Sequence, residues 1–72
     1  MVNIIINTVS ELTDMKISEI GLKSSFESLG FDDLKFVELI MKLEDKFGFS
    51  ADLEMYETET VGELIELVIN EN

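Results

Sequence analysis

The 72-residue sequence contains no cysteine and no histidine. The first absence excludes disulfides and thiolate nucleophiles, and the two together leave no soft metal site. The second removes imidazole acid–base chemistry. A chain without disulfides fits a reducing compartment, and a cytoplasmic location is expected. There is no proline, no internal repeat and no low-complexity stretch. Basic residues are scarce: five stand against sixteen acidic ones, for a formal net charge of -11, and nothing after Lys46 is basic. That balance repels nucleic acid and anionic membrane surfaces, and it favours partners with basic docking patches. A long hydrophobic run is also missing. The apolar segment from Val2 to Ile6, interrupted by Asn3, is too short for a membrane span or a signal-peptide core, and no basic stretch precedes it.

What is present points to a helical domain. A hydrophobic fraction of 46% argues against disorder. The length allows one domain, residues 1–72, expected to be a monomer with a small core and no covalent staple. Helical periodicity predicts a first helix over Val2 to Thr13, with Ile5, Val9 and Leu12 facing inward. A long connection, about Asp14 to Asp32, follows. Ile17, Ile20, Leu22, Phe26 and Leu29 lie along it without a steady period and read as plugs pinning it to the core. Gly30 precedes Asp32-Asp33, a good N-cap site. The second helix spans Asp33 to Phe47 and ends at Gly48. A short helix is expected near Leu53 to Glu57. The last starts at Thr60, where Thr60-Val61-Gly62-Glu63 fits a capping box, and Leu64, Ile65, Val68 and Ile69 make its apolar stripe. The expected fold is therefore all-α: a four-helix bundle of three longer helices and one short helix, with a long first loop.

The second helix carries more apolar residues than one buried stripe needs. At about 100° per residue, Phe36, Leu39, Ile40, Leu43 and Phe47 share an inner sector. Leu34, Val37 and Met41 fall on the far side, framed by Glu38, Glu44 and Asp45. Either the helix is buried on two sides, or this outer spine is an exposed docking face with apolar knobs and orienting carboxylates. In so short a chain no layer is left over to cover it, which favours docking. Lys35, Lys42 and Lys46 lie together on one flank, off the spine, and read as ordinary solvated lysines.

Phe26-Glu27-Ser28-Leu29-Gly30-Phe31-Asp32-Asp33-Leu34, followed by Val37-Glu38-Leu39, by Leu43-Glu44-Asp45-Lys46-Phe47 and by Thr60-Val61-Gly62-Glu63-Leu64, resembles the acyl carrier protein family over nearly the whole chain. The resemblance implies a four-helix carrier of fatty-acid or polyketide-type biosynthesis. In that family a Gly-x-Asp-Ser-Leu turn opens the second helix. A separate phosphopantetheinyl transferase joins the serine hydroxyl to phosphopantetheine from coenzyme A. The arm's thiol then shuttles acyl groups as thioesters between acyl-processing and condensing enzymes. The second helix is the main docking face for their basic patches. Carried onto this chain, the docking residues are Asp32, Leu34, Val37, Glu38, Met41, Glu44 and Asp45.

The resemblance breaks at the attachment point. Gly30-Phe31-Asp32-Asp33-Leu34 places Asp33 at the serine position. Attack through a carboxylate would give a labile acyl phosphate in place of a stable phosphodiester, and Ser24, Ser25 and Ser28 lie outside the motif. The arm the family implies is therefore not attachable here. Two explanations stand: a Ser-to-Asp replacement that locks a carrier in its arm-free form, or a natural carrier-like protein that acts only by docking. The otherwise intact motif favours the first. Helix capping by Asp33 is compatible with both. No nucleophile–base pair, phosphate loop or metal cluster is apparent, so no catalytic or metal-binding residue is assigned and the chain reads as a non-enzyme. A calcium site at Asp32-Asp33 or in the acidic tail lacks the Asp-x-Asp-x-Asp-Gly loop it would need.

Overall fold

Apolar side chains recurring at helical spacing divide the chain into four segments that each need a partner to cover one face. In the computed structural model, which describes residues 1–71, these segments form α1 (Val2–Thr13), α2 (Asp33–Phe47), α3 (Leu53–Tyr56) and α4 (Val61–Glu71). A single 3-10 turn, Ile17–Glu19, interrupts the long connection between α1 and α2. No strand occurs among the described residues; an isolated antiparallel bridge joins Ser25 to Thr60. α1 packs against α2 and α4, and α3 closes onto α2. The architecture is the expected all-α bundle.

Where the helices stop follows from their caps. Gly48, at φ 71°, takes the left-handed conformation that ends α2 and donates its N–H to the Glu44 carbonyl at 2.8 Å. Thr60 is the cap of α4, so the helix proper begins one residue later than expected. Its Oγ1 accepts from the Glu63 N–H at 3.2 Å, while Glu63 Oε1 accepts from the N–H groups of Thr60 and Glu59 at 3.3 and 2.7 Å. This is the capping box anticipated from the sequence.

The core is built from Ile5 and Val9 of α1, Leu39, Ile40 and Leu43 of α2, and Leu64, Ile65 and Val68 of α4, with Met55 and Val61 completing it. Leu12, Phe36 and Phe47 pack on it half-buried. Each fully covered side chain of this size contributes roughly 1.5–3 kcal/mol before entropy is subtracted. Three expected core positions are corrected. Ile69 is 42% exposed, because the inner sector of α4 centres on Val61, Leu64, Ile65 and Val68 and Ile69 lies at its edge. Ile17 and Leu22 are more than half exposed, whereas Ile20, Phe26 and Leu29 do plug the loop into the core.

Leu22 docks through its backbone instead. The first turn of any helix leaves N–H groups without intrahelical partners. In α4 the loop supplies them: Val61 N–H donates to the Ser24 carbonyl at 3.1 Å and Gly62 N–H to the Leu22 carbonyl at 2.8 Å. Phe26 N–H returns to the Glu59 carbonyl at 2.9 Å. The loop is thus stitched to the start of α4, and Gly62 is the residue that permits the approach. A Cβ added there would sit 2.8 Å from the Leu22 carbonyl oxygen. Gly62→Ala is therefore expected to lower stability by roughly 1–3 kcal/mol, overriding alanine's better helix propensity. Urea denaturation checks this; a variant as stable as the parent would contradict the stitch.

A second tie joins α1 to α2. Lys46 Nζ donates to the buried Thr8 Oγ1 at 3.0 Å, and Thr8 Oγ1 donates to the Ile4 carbonyl at 2.8 Å. Lys46 is thus anchored, contrary to the expectation that it is simply solvated.

Candidate functional site

The turn into α2 gathers the residues that the sequence singled out. Asp32 has the extended backbone of an N-cap, and its Oδ1 accepts from the Lys35 N–H at 2.7 Å. The Phe36 N–H donates to the Asp32 carbonyl at 3.0 Å. Asp33 occupies the first helical position, exposed to solvent. Its carboxylate makes no hydrogen bond among the described residues. Capping by Asp33 is therefore corrected: of the two adjacent acids, only Asp32 has the backbone geometry to accept from the third helical amide, and the Asp33 side chain contributes only its charge at the helix start.

Downstream, the outer face of α2 is open. Leu34 is 79% exposed, Met41 59% and Val37 38%. With Glu38, Lys42, Glu44 and Asp45 they line a shallow groove of about 600 Å³. Glu38 and Asp45 are exposed beside the apolar spine. Glu44 is half-buried, and its Oε2 accepts from the Ala51 N–H at 2.7 Å, so this carboxylate also holds the connection between α2 and α3. Lys42 borders the groove, contrary to the expectation that all three lysines stand clear of it. Six of the seven expected docking residues line this groove, and the seventh, Asp32, lies at the cap of α2 and lines a cleft on the other side of Asp33.

A second concavity opens on the other side of Asp33. Phe26, Phe31, Phe36 and Tyr56 line a cleft of about 510 Å³ between the loop, α2 and α3. Phe31 meets Phe26 edge-on at 5.4 Å, Phe36 lies 4.9 Å from Phe26, and Tyr56 meets Phe36 edge-on at 6.4 Å. Glu27, Asp32, Asp33 and Glu59 rim the cleft, and no basic residue lines it. Tyr56 and Glu59 are not legible as cleft residues in the sequence because they lie twenty or more positions beyond the Phe26–Phe36 stretch that they join. The only local signal was the spacing of Phe26, Phe31 and Phe36.

A family model described as a phosphopantetheine attachment site matches residues 3–68. The chain belongs to the acyl carrier protein family. An acyl carrier protein of Exiguobacterium sibiricum is 37% identical to it over 62 residues, covering 83% of this chain and 78% of the relative. Acyl carrier proteins carry phosphopantetheine, and the side chains at this turn can be tested against that group. A phosphodiester-linked arm needs a free hydroxyl. The first helical position offers a carboxylate, and the neighbouring serines are engaged within the loop. Ser24 Oγ accepts from the Gly21 N–H at 3.0 Å, Ser25 Oγ accepts from the Ser28 N–H at 3.1 Å, and Ser28 Oγ donates to the Ser25 carbonyl at 2.8 Å. For an acyl carrier protein, this turn does not fit the arm. Among the described residues no group of three or more acidic side chains is placed to hold a metal ion, and no helix is long and apolar enough to cross a membrane.

Proposed function

We propose that this chain is a cytoplasmic, monomeric acyl carrier protein of fatty-acid or polyketide-type biosynthesis, in a form that cannot take up its arm because Asp33 stands at the attachment-serine position. It is a carrier scaffold and not an enzyme. Its partners are a phosphopantetheinyl transferase and the acyl-processing and condensing enzymes, which dock on Asp32, Leu34, Val37, Glu38, Met41, Glu44 and Asp45 through basic patches. The observation that carries this reading is the open groove on α2, an apolar spine with flanking carboxylates that starts one residue after Asp33. The alternative is a natural carrier-like module that works by docking alone. The freedom of Asp33 from cap duty supports the Ser-to-Asp replacement, since nothing in the turn requires an acid there. The codon at position 33 of the source gene distinguishes the two.

Docking is tested by titrating the chain against a broad-specificity transferase. Met41→Ala removes an apolar knob and is expected to cost about 2 kcal/mol, or about thirtyfold in affinity. Glu38→Lys is expected to weaken binding and to flatten its salt dependence, because it reverses one of the charges that steer a basic partner. Both variants should melt close to the parent. Unchanged binding in both would remove this face from the interaction.

A further inference from the structure

Sulfur enters this chain only as methionine: the sequence has four and no cysteine. Where thiolates are present they take up peroxide oxygen first; here the thioethers are the sulfurs open to oxidation. The fold sorts them. Met55 is 1% exposed and belongs to the core, and Met15 packs half-buried against it. Met1 and Met41 are open to solvent, and of these Met41 lines the α2 groove. Of the three apolar knobs there, Leu34 and Val37 are inert to peroxide and Met41 is not. Three carboxylates, Glu38, Glu44 and Asp45, and one ammonium, Lys42, line the same groove. Their summed field holds off anionic oxidants and leaves an uncharged hydroperoxide free to approach.

We propose that Met41 is a reversible oxidation site through which a hydroperoxide switches the docking face off. The Met41 sulfur attacks one peroxide oxygen, and the S–O bond forms as the O–O bond breaks. Sulfur gives up two electrons to the peroxide. The proton on the transferred oxygen passes to the leaving oxygen, which departs as an alcohol or, from hydrogen peroxide, as water. A dithiol-dependent sulfoxide reductase reverses the step: the dithiol becomes a disulfide and the oxygen leaves as water. The consequence differs between the free and the docked chain. In the free chain the sulfoxide stands in water and the core is untouched. In the docked chain a strong acceptor is buried beside Leu34 and Val37, neither of which has a side-chain donor to offer it. The switch rests on the docking reading of this groove, whereas the selective oxidation of Met41 does not.

The chain is treated with hydrogen peroxide, the excess is removed with catalase, and peptide mass mapping locates the added oxygen. Met41 is expected to convert about tenfold or more faster than Met55, which the core shields. The treated chain is then titrated against a broad-specificity phosphopantetheinyl transferase and melted. Affinity is expected to fall about tenfold or more while the melting temperature stays close to that of the untreated chain. Sulfoxide reductases of both epimer specificities, with dithiothreitol, should restore binding. Met41→Leu is compared with itself before and after peroxide. Whatever its starting affinity, treatment should leave it unchanged, although Met1 is oxidised in both chains. Conversion of Met41 no faster than Met55, normal binding by the Met41 sulfoxide, or an equal loss in Met41→Leu would each overturn the proposal. Weak binding by Met41→Ala beside normal binding by the sulfoxide sinks the switch alone. Parent-like binding by Met41→Ala sinks the docking reading and the switch with it.

Discussion

Leu43→Ala is expected to lower the unfolding free energy by roughly 2–5 kcal/mol, while Met41→Ala, two residues away on the same helix, changes it by about 0.5 kcal/mol or less. Leu43 is fully buried where α2 meets the rest of the core, and truncation there leaves a cavity that the surrounding helices fill only in part. Met41 is 59% exposed and loses little on truncation. In a domain of this size each kcal/mol moves the melting temperature by about 4–8 °C, so the two variants separate in one thermal scan. The upper end of the Leu43 range approaches the total stability of a small domain, and that variant would be partly unfolded at room temperature. The comparison bears on function, because the outer spine serves docking only if it is not core. Met41→Ala melting as badly as Leu43→Ala would mean the spine is buried in solution, and the docking face would be lost with it.

Much of this architecture is legible in the sequence, and the reasons are local. α2 begins and ends where its punctuation places it, because Asp32 and Gly48 each act on the backbone within a few residues, and Thr60 does the same at the start of α4. The two faces of α2 follow from a single angle per residue. Non-local features are not legible in this way. The loop residues Ile17, Ile20, Leu22, Phe26 and Leu29 have no common period, so which of them plug the core depends on where the loop is stitched to α4. That stitch turns on carbonyls, which leave no trace in side-chain pattern. Thr8 is buried on α1, and the Lys46 that donates to it lies far along the chain. Met55 and Val61 join the core from the short α3 and the first position of α4, where too few residues exist to display a stripe. At the candidate site, the groove from Leu34 to Asp45 is legible because it lies on one helix, and the aromatic cleft is not because it is shared by three segments.

Position 33 gives the largest expected difference between two nearly identical chains. The cap of α2 is held by Asp32, so Asp33→Ser keeps the turn intact and gives up only the favourable charge at the helix start, about 0.3–1 kcal/mol. The variant should fold, dock and present a solvent-exposed hydroxyl at the first helical position. Both chains are incubated with coenzyme A and a broad phosphopantetheinyl transferase, and their intact masses are read. The chain with Asp33 is expected to keep its mass, and Asp33→Ser to gain one phosphopantetheine. A mass gain on the chain with Asp33, or none on a folded Asp33→Ser variant under conditions that load another acyl carrier protein, would contradict the assignment of position 33 as the attachment site.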